Sequence, residues 1–247
     1  MAIKLFLKIF FMLPVWLLRC MTFQKSTMIN NQILDFQTQI FLGFQALQVD
    51  GLDDPRSFDS AQAIREFMIE GLPLSSKPKM PVKIKDHLLS TEFGHLKIRE
   101  YSPEEIASSS PILYFHGGGY VLGGINSHDA ALQFFAAEMG ANIFSLEYRL
   151  APENKFPSSL QDANFALEWL GKELNLAISD ISLCGDSAGG HLAASLSTFR
   201  AINKFELPLS QCLIYPMTDP LCNSKSQDCF SSGFFLSQKA MIWFWEQ

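Results

Sequence analysis

The chain has 247 residues, of which 48% are hydrophobic and 18% charged, a balance typical of a globular protein long enough to bury a substantial core. Its net charge of −6 and the lack of any run of lysine and arginine exclude a nucleic-acid-binding protein, which needs a basic surface to neutralise phosphates. Its five cysteines have no C-x-x-C spacing and are odd in number, so we expect no metal site, no disulfide framework and a reducing, cytoplasmic compartment.

The first twenty residues combine a basic stripe with an apolar run. Lys4, Lys8 and Arg19 fall on one narrow face of a helix, and the ten-residue apolar run Ile9–Leu18 is too short to cross a bilayer. One interpretation is a helix that contacts a membrane surface through residues 1–20, or that guards an apolar pocket. The other is a helix packed on the domain with its basic stripe in water.

Residues 1–72 read as helical throughout. The segment 29–48 offers an asparagine cap followed by apolar residues at helical spacing, and 57–73 repeats the pattern and ends at Gly71 and Pro73. The stretch SSKPKMP at 75–81 then reads as a linker. We therefore expect a helical region with its linker at 1–80 and a second region at 81–247.

From residue 82 onwards the pattern changes to strands. Residues 82–90 and 95–102 alternate as an antiparallel hairpin that turns near Phe93 and Gly94. Short apolar segments then alternate with helical ones; the strands are predicted at 112–115, 141–148, 181–185 and 210–216, and the helices at 127–140, 158–174 and 188–202. This alternation predicts an α/β fold with a mostly parallel sheet and helices on both faces.

A G-x-S-x-G motif lies at Gly185–Gly189, between a predicted strand and a predicted helix. A serine in this sharp turn is strained and needs neighbours without large side chains. The motif predicts Ser187 as a nucleophile at the carboxyl edge of the sheet, with the N–H of Ala188 donating to a developing oxyanion. We expect Asp186 to hold the loop rather than to exchange protons.

Three consecutive glycines, Gly117–Gly119, follow an earlier buried strand. Glycines raise the entropy cost of folding, so three in a row favour backbone N–H groups that approach a substrate closely. A phosphate-binding loop is excluded because the segment has neither G-x-G-x-x-G spacing nor a lysine after the glycines. The loop is therefore predicted to form the second half of an oxyanion hole.

Five motifs occur together in this order: HGGGY at His116–Tyr120, YRLAPE at Tyr148–Glu153, FPSSLQDA at Phe156–Ala163, GDSAGG at Gly185–Gly190 and YPMTD at Tyr215–Asp219. Over roughly residues 80–247 the chain resembles the hormone-sensitive-lipase-like branch of the α/β-hydrolases. The resemblance implies a helical cap built from the N-terminal helices and a segment at about 218–247, and no metal or cofactor. It also implies Ser187 as nucleophile, oxyanion donors at Gly118, Gly119 and Ala188, and a glycine loop supported by His116, Gly117 and Asp186.

One catalytic part is missing from this pattern. In α/β-hydrolases the nucleophile is followed by an acid and then by a histidine, whereas no histidine follows His191. We interpret His191, His128, His87 and His95 as structural side chains. The resemblance implies that the last two strands of the fold are absent, which would leave the strand at 210–216 as an exposed edge.

These features predict a serine carboxylesterase that hydrolyses short- to medium-chain acyl esters through an acyl-enzyme on Ser187. Without the acid and the histidine, the 247-residue chain is expected to be nearly inactive by itself. The alternatives are a catalytically dead binding protein or receptor for a small apolar ligand, and a gene remnant that does not fold. The sequence assigns no oligomeric state.

Overall fold

The computed structural model describes residues 13–22, 27–29, 31–48, 54–57, 60–69 and 81–247. Lys4, Lys8 and most of the predicted linker lie outside the described residues. In the N-terminal part, α1 spans Val15–Thr22, α2 spans Phe36–Gln48 and α3 spans Ala61–Ile69. None of the helices in these ranges has the length and apolar character that a bilayer span requires.

The helix predicted over 29–48 begins later than expected. Residues Met28–Ile29 (β1) and Gln32–Ile33 (β2) form a small antiparallel pair, with Asn31 at the turn in the left-handed region at φ 62°. The cap of α2 is Asp35, whose carboxylate accepts a 2.8 Å hydrogen bond from Thr38 N–H. The prediction of an asparagine cap and a continuous helix was therefore wrong, because Asn31 turns the chain instead.

The predicted hairpin is confirmed. The strand β3, Val82–Thr91, pairs antiparallel with β4, Gly94–Pro103. The other four strands are β5 (Ile112–Phe115), β6 (Ile143–Glu147), β7 (Ser182–Asp186) and β8 (Ser210–Ile214). Through β4, the hairpin pairs with β6 and so belongs to a six-stranded sheet of order β3-β4-β6-β5-β7-β8. The four strands from β6 to β8 in this order are parallel, as the alternation of strands and helices predicted. Strand β8 lies at one edge.

Helices cover both faces of the sheet. They are α4 (Ile125–Met139), α5 (Ser158–Leu174) and α6 (Ala188–Ile202). Leu113 and Phe115 of β5 pack into a cluster with residues of α5 and α6. Tyr114, the residue between them, packs with Leu132 of α4. Because successive side chains of a strand point to opposite faces, these clusters are two cores on the two sides of the sheet.

Two short helices follow the sheet, α7 at Lys225–Cys229 and α8 at Gln238–Glu246. Of the described residues, those before residue 60 group with 222–243 in one compact unit. Residues 60–221 and 244–247 form the other. The predicted division into a cap with segments at 1–80 and about 218–247 stays a prediction.

Candidate functional site

The sheet brings the two predicted loops to the same edge. Strands β5 and β7 are parallel neighbours, with Phe115 opposite Gly185 in the register. Because parallel neighbours end at the same edge of a sheet, the segment after Phe115 and the segment after Asp186 emerge next to each other. Those segments are the glycine loop and the G-x-S-x-G motif.

The backbone of Ser187 is strained, as the motif predicts. Its φ of 53° and ψ of −116° are rare for a residue with a side chain and cost on the order of 1–3 kcal/mol. Hydrogen bonds fix this conformation: Ser187 N–H donates to the Ile214 carbonyl at 2.9 Å, and the Ser187 carbonyl accepts from Met217 N–H at 3.2 Å. The side chain is half-buried, and its Oγ has no hydrogen-bond partner among the described residues.

The sharp turn Gly185–Gly189, called the elbow below, has no space for side chains at Gly185 and Gly189. A Cβ at Gly189 would overlap the carbonyl oxygen of Phe115, and one at Gly185 would overlap the backbone of Gly189. Both neighbours are backbone atoms, which cannot move aside as a flexible side chain can. Glycine at these positions therefore lets the start of α6 approach the ends of β5 and β7.

Three backbone N–H groups at this edge have no hydrogen-bond acceptor in the described part of the chain. They belong to Gly118, Gly119 and Ala188. Gly119 and Ala188 are buried and Gly118 is half-buried, and buried N–H groups in proteins are almost always paired. The structure thus leaves three donors available beside Ser187. Their role as oxyanion donors stays a prediction.

Asp186 connects the two loops. Its Oδ1 accepts hydrogen bonds from the Gly117 N–H at 2.8 Å and from the Tyr114 hydroxyl at 2.7 Å, and His128 Nε2 lies 3.2 Å away. Burial by itself raises the pKa of Asp186, but the hydrogen bond and charge of His128, followed by Tyr114 and Gly117, bring it below its ordinary value. Asp186 is therefore a carboxylate. A Cβ at Gly117 would overlap it.

His116 is fully buried at the start of the glycine loop. Its Nδ1 lies 2.8 Å from the Gly117 carbonyl, its ring stacks on Tyr148 at 4.2 Å between centroids, and its own carbonyl accepts from the Tyr148 hydroxyl at 2.6 Å. Burial lowers the pKa of His116 to about 4. The ring is therefore neutral at pH 7 and donates from Nδ1 to the loop backbone.

His191 makes a polar contact that the sequence analysis missed. Its Nδ1 lies 2.7 Å from the Tyr120 hydroxyl, and its ring meets Trp245 edge-on at 5.3 Å. Burial lowers its pKa. The only signal in the sequence was its place one helical turn after Ser187, which does not identify a partner 71 residues earlier.

The acids of the motifs hold loops. Asp162 is buried and accepts from the backbone N–H of Arg149 at 2.9 Å and from its guanidinium at 2.7 Å. Glu153 pairs with Arg65 of α3 at 2.8 Å. Arg65 was not singled out in the sequence. Within the described residues no three histidine, cysteine, aspartate or glutamate side chains are grouped to hold a metal ion.

Comparison with known proteins agrees with this geometry. A family model described as alpha/beta hydrolase fold matches residues 112–247. The chain is 33% identical over 199 residues to ethyl acetate hydrolase of Pseudomonas putida, which covers 77% of this chain and 63% of that protein. It is 35% identical over 139 residues to hormone-sensitive lipase of Mus musculus, covering 55% of this chain and 18% of that protein.

A solved structure shows the same architecture. The hyperthermophilic esterase from the archaeon Pyrobaculum calidifontis superposes with a TM-score of 0.71 and 27% sequence identity, over 85% of this chain and 68% of that one. The predicted fold and the predicted resemblance are thus confirmed. The chain spans less than two thirds of the length of the two curated relatives.

Proposed function

This chain belongs to the alpha/beta hydrolase fold family, and from that premise we propose that it is a serine carboxylesterase of short- to medium-chain acyl esters. One observation carries the proposal: the strained Ser187 lies at the same sheet edge as the N–H groups of Gly118, Gly119 and Ala188, for which no described residue supplies an acceptor. A relative named ethyl acetate hydrolase supports an ester with a short acyl group.

The chemistry follows from these positions. Ser187 Oγ attacks the ester carbonyl carbon and gives up its proton, and the carbonyl oxygen becomes an oxyanion. The three N–H groups stabilise that oxyanion, because donors fixed in advance need no reorganisation during the reaction. The alcohol leaves with a proton, and water then cleaves the acyl-enzyme to release the acid and restore the serine.

The base that accepts the serine proton is not among the histidines of this chain. His116 donates to a carbonyl of its own loop, His128 lies against Asp186, and His191 contacts Tyr120. His87 pairs with Glu100 at 2.8 Å on the β3–β4 hairpin, and His95 is exposed there. We therefore expect the 247-residue chain to acylate slowly, with residual catalysis on the order of 10³–10⁴ over water.

Labelling with a fluorophosphonate tests the proposal. Ser187 Oγ would displace fluoride from phosphorus and form a stable ester, which mass spectrometry locates on the peptide. Because none of its histidines serves as the base, we expect slow labelling of Ser187 in the 247-residue chain over a long incubation, none in Ser187→Ala, and the same slow labelling in Ser197→Ala. Ser197 is a matched control because it lies on the same helix as Ala188, and its hydroxyl donates to the Ala193 carbonyl within α6. Labelling elsewhere, or none at all, would contradict the proposal.

A binding protein for a small apolar ligand is the second candidate, and it is favoured by the same placement of the histidines. A hydrolase fold without an activating base would retain a pocket and its donors but would not turn over. The labelling experiment separates the two candidates. Reversible binding of a short-chain ester without any covalent adduct on Ser187 would support the binding protein.

A further inference from the structure

Arg65 of α3 donates hydrogen bonds from all three of its guanidinium nitrogens. Its Nε–H donates to the Val121 carbonyl at 2.7 Å, and one terminal nitrogen donates to the Ala151 carbonyl at 2.6 Å. The two terminal nitrogens also reach the two carboxylate oxygens of Glu153, at 2.9 and 2.8 Å. One half-buried side chain thus satisfies two backbone carbonyls and one carboxylate.

The two carbonyls belong to the loops that build the site. Val121 ends the turn that begins with the glycine triplet, and Ala151 lies in the loop after β6. These loops also contact each other directly, because Ala151 N–H donates to the Tyr120 carbonyl at 2.8 Å. Arg65 therefore binds both loops at the point where they already contact each other, and it does so from helix α3.

The orientation of one peptide makes this junction important for the site. The carbonyl of Gly118 accepts hydrogen bonds from Val121 N–H at 3.0 Å and from Leu122 N–H at 2.8 Å. The C=O of Gly118 and the N–H of Gly119 share a planar peptide unit and point in opposite directions. Fixing the first therefore fixes the second, so whatever holds Val121 also holds the donor of Gly119.

The ion pair between Arg65 and Glu153 contributes less to holding the loops than the hydrogen bonds from Arg65 to the two carbonyls. The Arg65 hydrogen bond lowers the pKa of Glu153, but the Glu153 side chain is 52% exposed, and exposed ion pairs contribute little. The bonds to the carbonyls of Val121 and Ala151 are part-buried and charge-assisted. Only the planar fork of a guanidinium can donate to all three acceptors at once.

We propose that Arg65 is a positioning residue that holds the turn carrying the Gly118 and Gly119 N–H groups. The inference rests on the proposed function of that turn. Helix α3, which lies more than a hundred residues before Ser187 in the sequence, would thus help to position the glycine turn. The hydrogen bonds from the guanidinium to the two carbonyls would do this, rather than the ion pair with Glu153.

The test compares four forms of the 247-residue chain with the native one: Arg65→Gln, Arg65→Lys, Glu153→Gln and the control Lys155→Gln. Lys155 is exposed in the same loop region, so its replacement removes one positive charge without touching the fork. Two measurements are made on each protein. One is the fluorophosphonate labelling of Ser187, separated into the rate of the covalent step and the affinity, and the other is amide hydrogen exchange of residues 117–124.

We expect Arg65→Gln to slow the covalent step by about tenfold or more, below the loss of on the order of 10²–10³ that removing an oxyanion donor itself causes. The amides of 118–122 should exchange faster in the same protein. Arg65→Lys should resemble Arg65→Gln, because an ammonium cannot replace the fork. Glu153→Gln and Lys155→Gln should stay within about twofold of the native chain.

Two results would overturn the proposal. One is native-like labelling and exchange in both Arg65 variants; the other is a lower melting temperature with native rates in the folded fraction. If Arg65→Gln does not fold, Arg65→Lys decides by the same criteria. If the native chain is not labelled at Ser187, the proposed function fails, but hydrogen exchange still tests the role of Arg65. Faster exchange confined to 118–122 in the Arg65 variants supports that role, and unchanged exchange refutes it.

Discussion

The Asp186 carboxylate holds together atoms from three segments of the chain. It accepts from the Gly117 N–H, from the Tyr114 hydroxyl and from His128, and it immediately precedes Ser187. Its pKa is below the ordinary value because these partners outweigh the effect of burial. A fixed negative charge beside the elbow thus orients the glycine loop, a task for which an aspartate needs no proton transfer.

A pH dependence of stability follows from His116. Burial lowers the pKa of His116 to about 4 from an ordinary value of 6.5. The unfolded chain therefore binds a proton that the folded chain does not, so the free energy of unfolding decreases as pH falls from 6.5 to 4 and is fully retained above 6.5. The difference amounts to about 3 kcal/mol.

Urea unfolding between pH 4.5 and 7.5 measures this contribution. His116→Asn keeps a donor for the Gly117 carbonyl but does not titrate, so we expect a shallower decrease in stability than in the native chain. His95→Gln serves as the control because His95 is exposed on β4. Equal slopes in the native chain and in His116→Asn would contradict the assignment.

At the scale of elements, the sequence predicted the sheet and its helices well but missed the β1–β2 pair that precedes α2. The bounds of α5 and α6 agree with the prediction, because apolar strands and amphipathic helices have distinct periods. Before residue 60 the segments are short, and local propensity does not separate a turn at Asn31 from a helix cap. The contacts of Arg65, His128 and His191 could not be predicted, since each joins residues more than fifty positions apart.

Close packing between β5 and α6 predicts different costs for two glycine substitutions. In Gly189→Ala the new Cβ would overlap the Phe115 carbonyl, so we expect a loss of about 3 kcal/mol or more in unfolding free energy. In Gly171→Ala, within α5, the new Cβ would lie 3.0 Å from the movable Cδ1 of Ile178 and 3.2 Å from the Leu176 carbonyl oxygen, so a small shift is enough to accommodate it. The higher helix propensity of alanine, worth about 1 kcal/mol, should offset the cost of these two contacts.

Thermal unfolding distinguishes the two substitutions. Gly189→Ala should melt well below the native chain or fail to fold, whereas Gly171→Ala should melt near it. A Gly189→Ala protein as stable as Gly171→Ala would mean that the backbone at the elbow can move aside. That result would also remove the steric reason for glycine in the motif.

At the scale of the whole molecule, the order of the strands sets where the site is most rigid. Four of the five residues of β6 and three of the four of β5 are buried, whereas β8 is mainly exposed. The glycine loop follows β5 and the elbow follows β7, which lies between β5 and the edge strand β8. Both halves of the site are thus attached to interior strands.

Native-state amide exchange should reproduce this order. We expect the slowest exchange in β5 and β6, intermediate rates in β7, and the fastest in β8 and the outer strand β3, because buried strands open only with larger parts of the structure. Exchange in β8 as slow as in β5 would contradict this ranking. The measurement needs no activity and applies to the chain as it is.

The hydrogen bonds that fix Ser187 have a consequence for biosynthesis. Ile214 and Met217, which hold its backbone on both sides, are synthesised well after Ser187. A nascent chain that has emerged only as far as α6 lacks both partners, so its serine is free to relax into an ordinary backbone conformation. The strained backbone of Ser187 can therefore form only after Ile214 and Met217 have been synthesised, when β5, β6 and β7 are already available to fold.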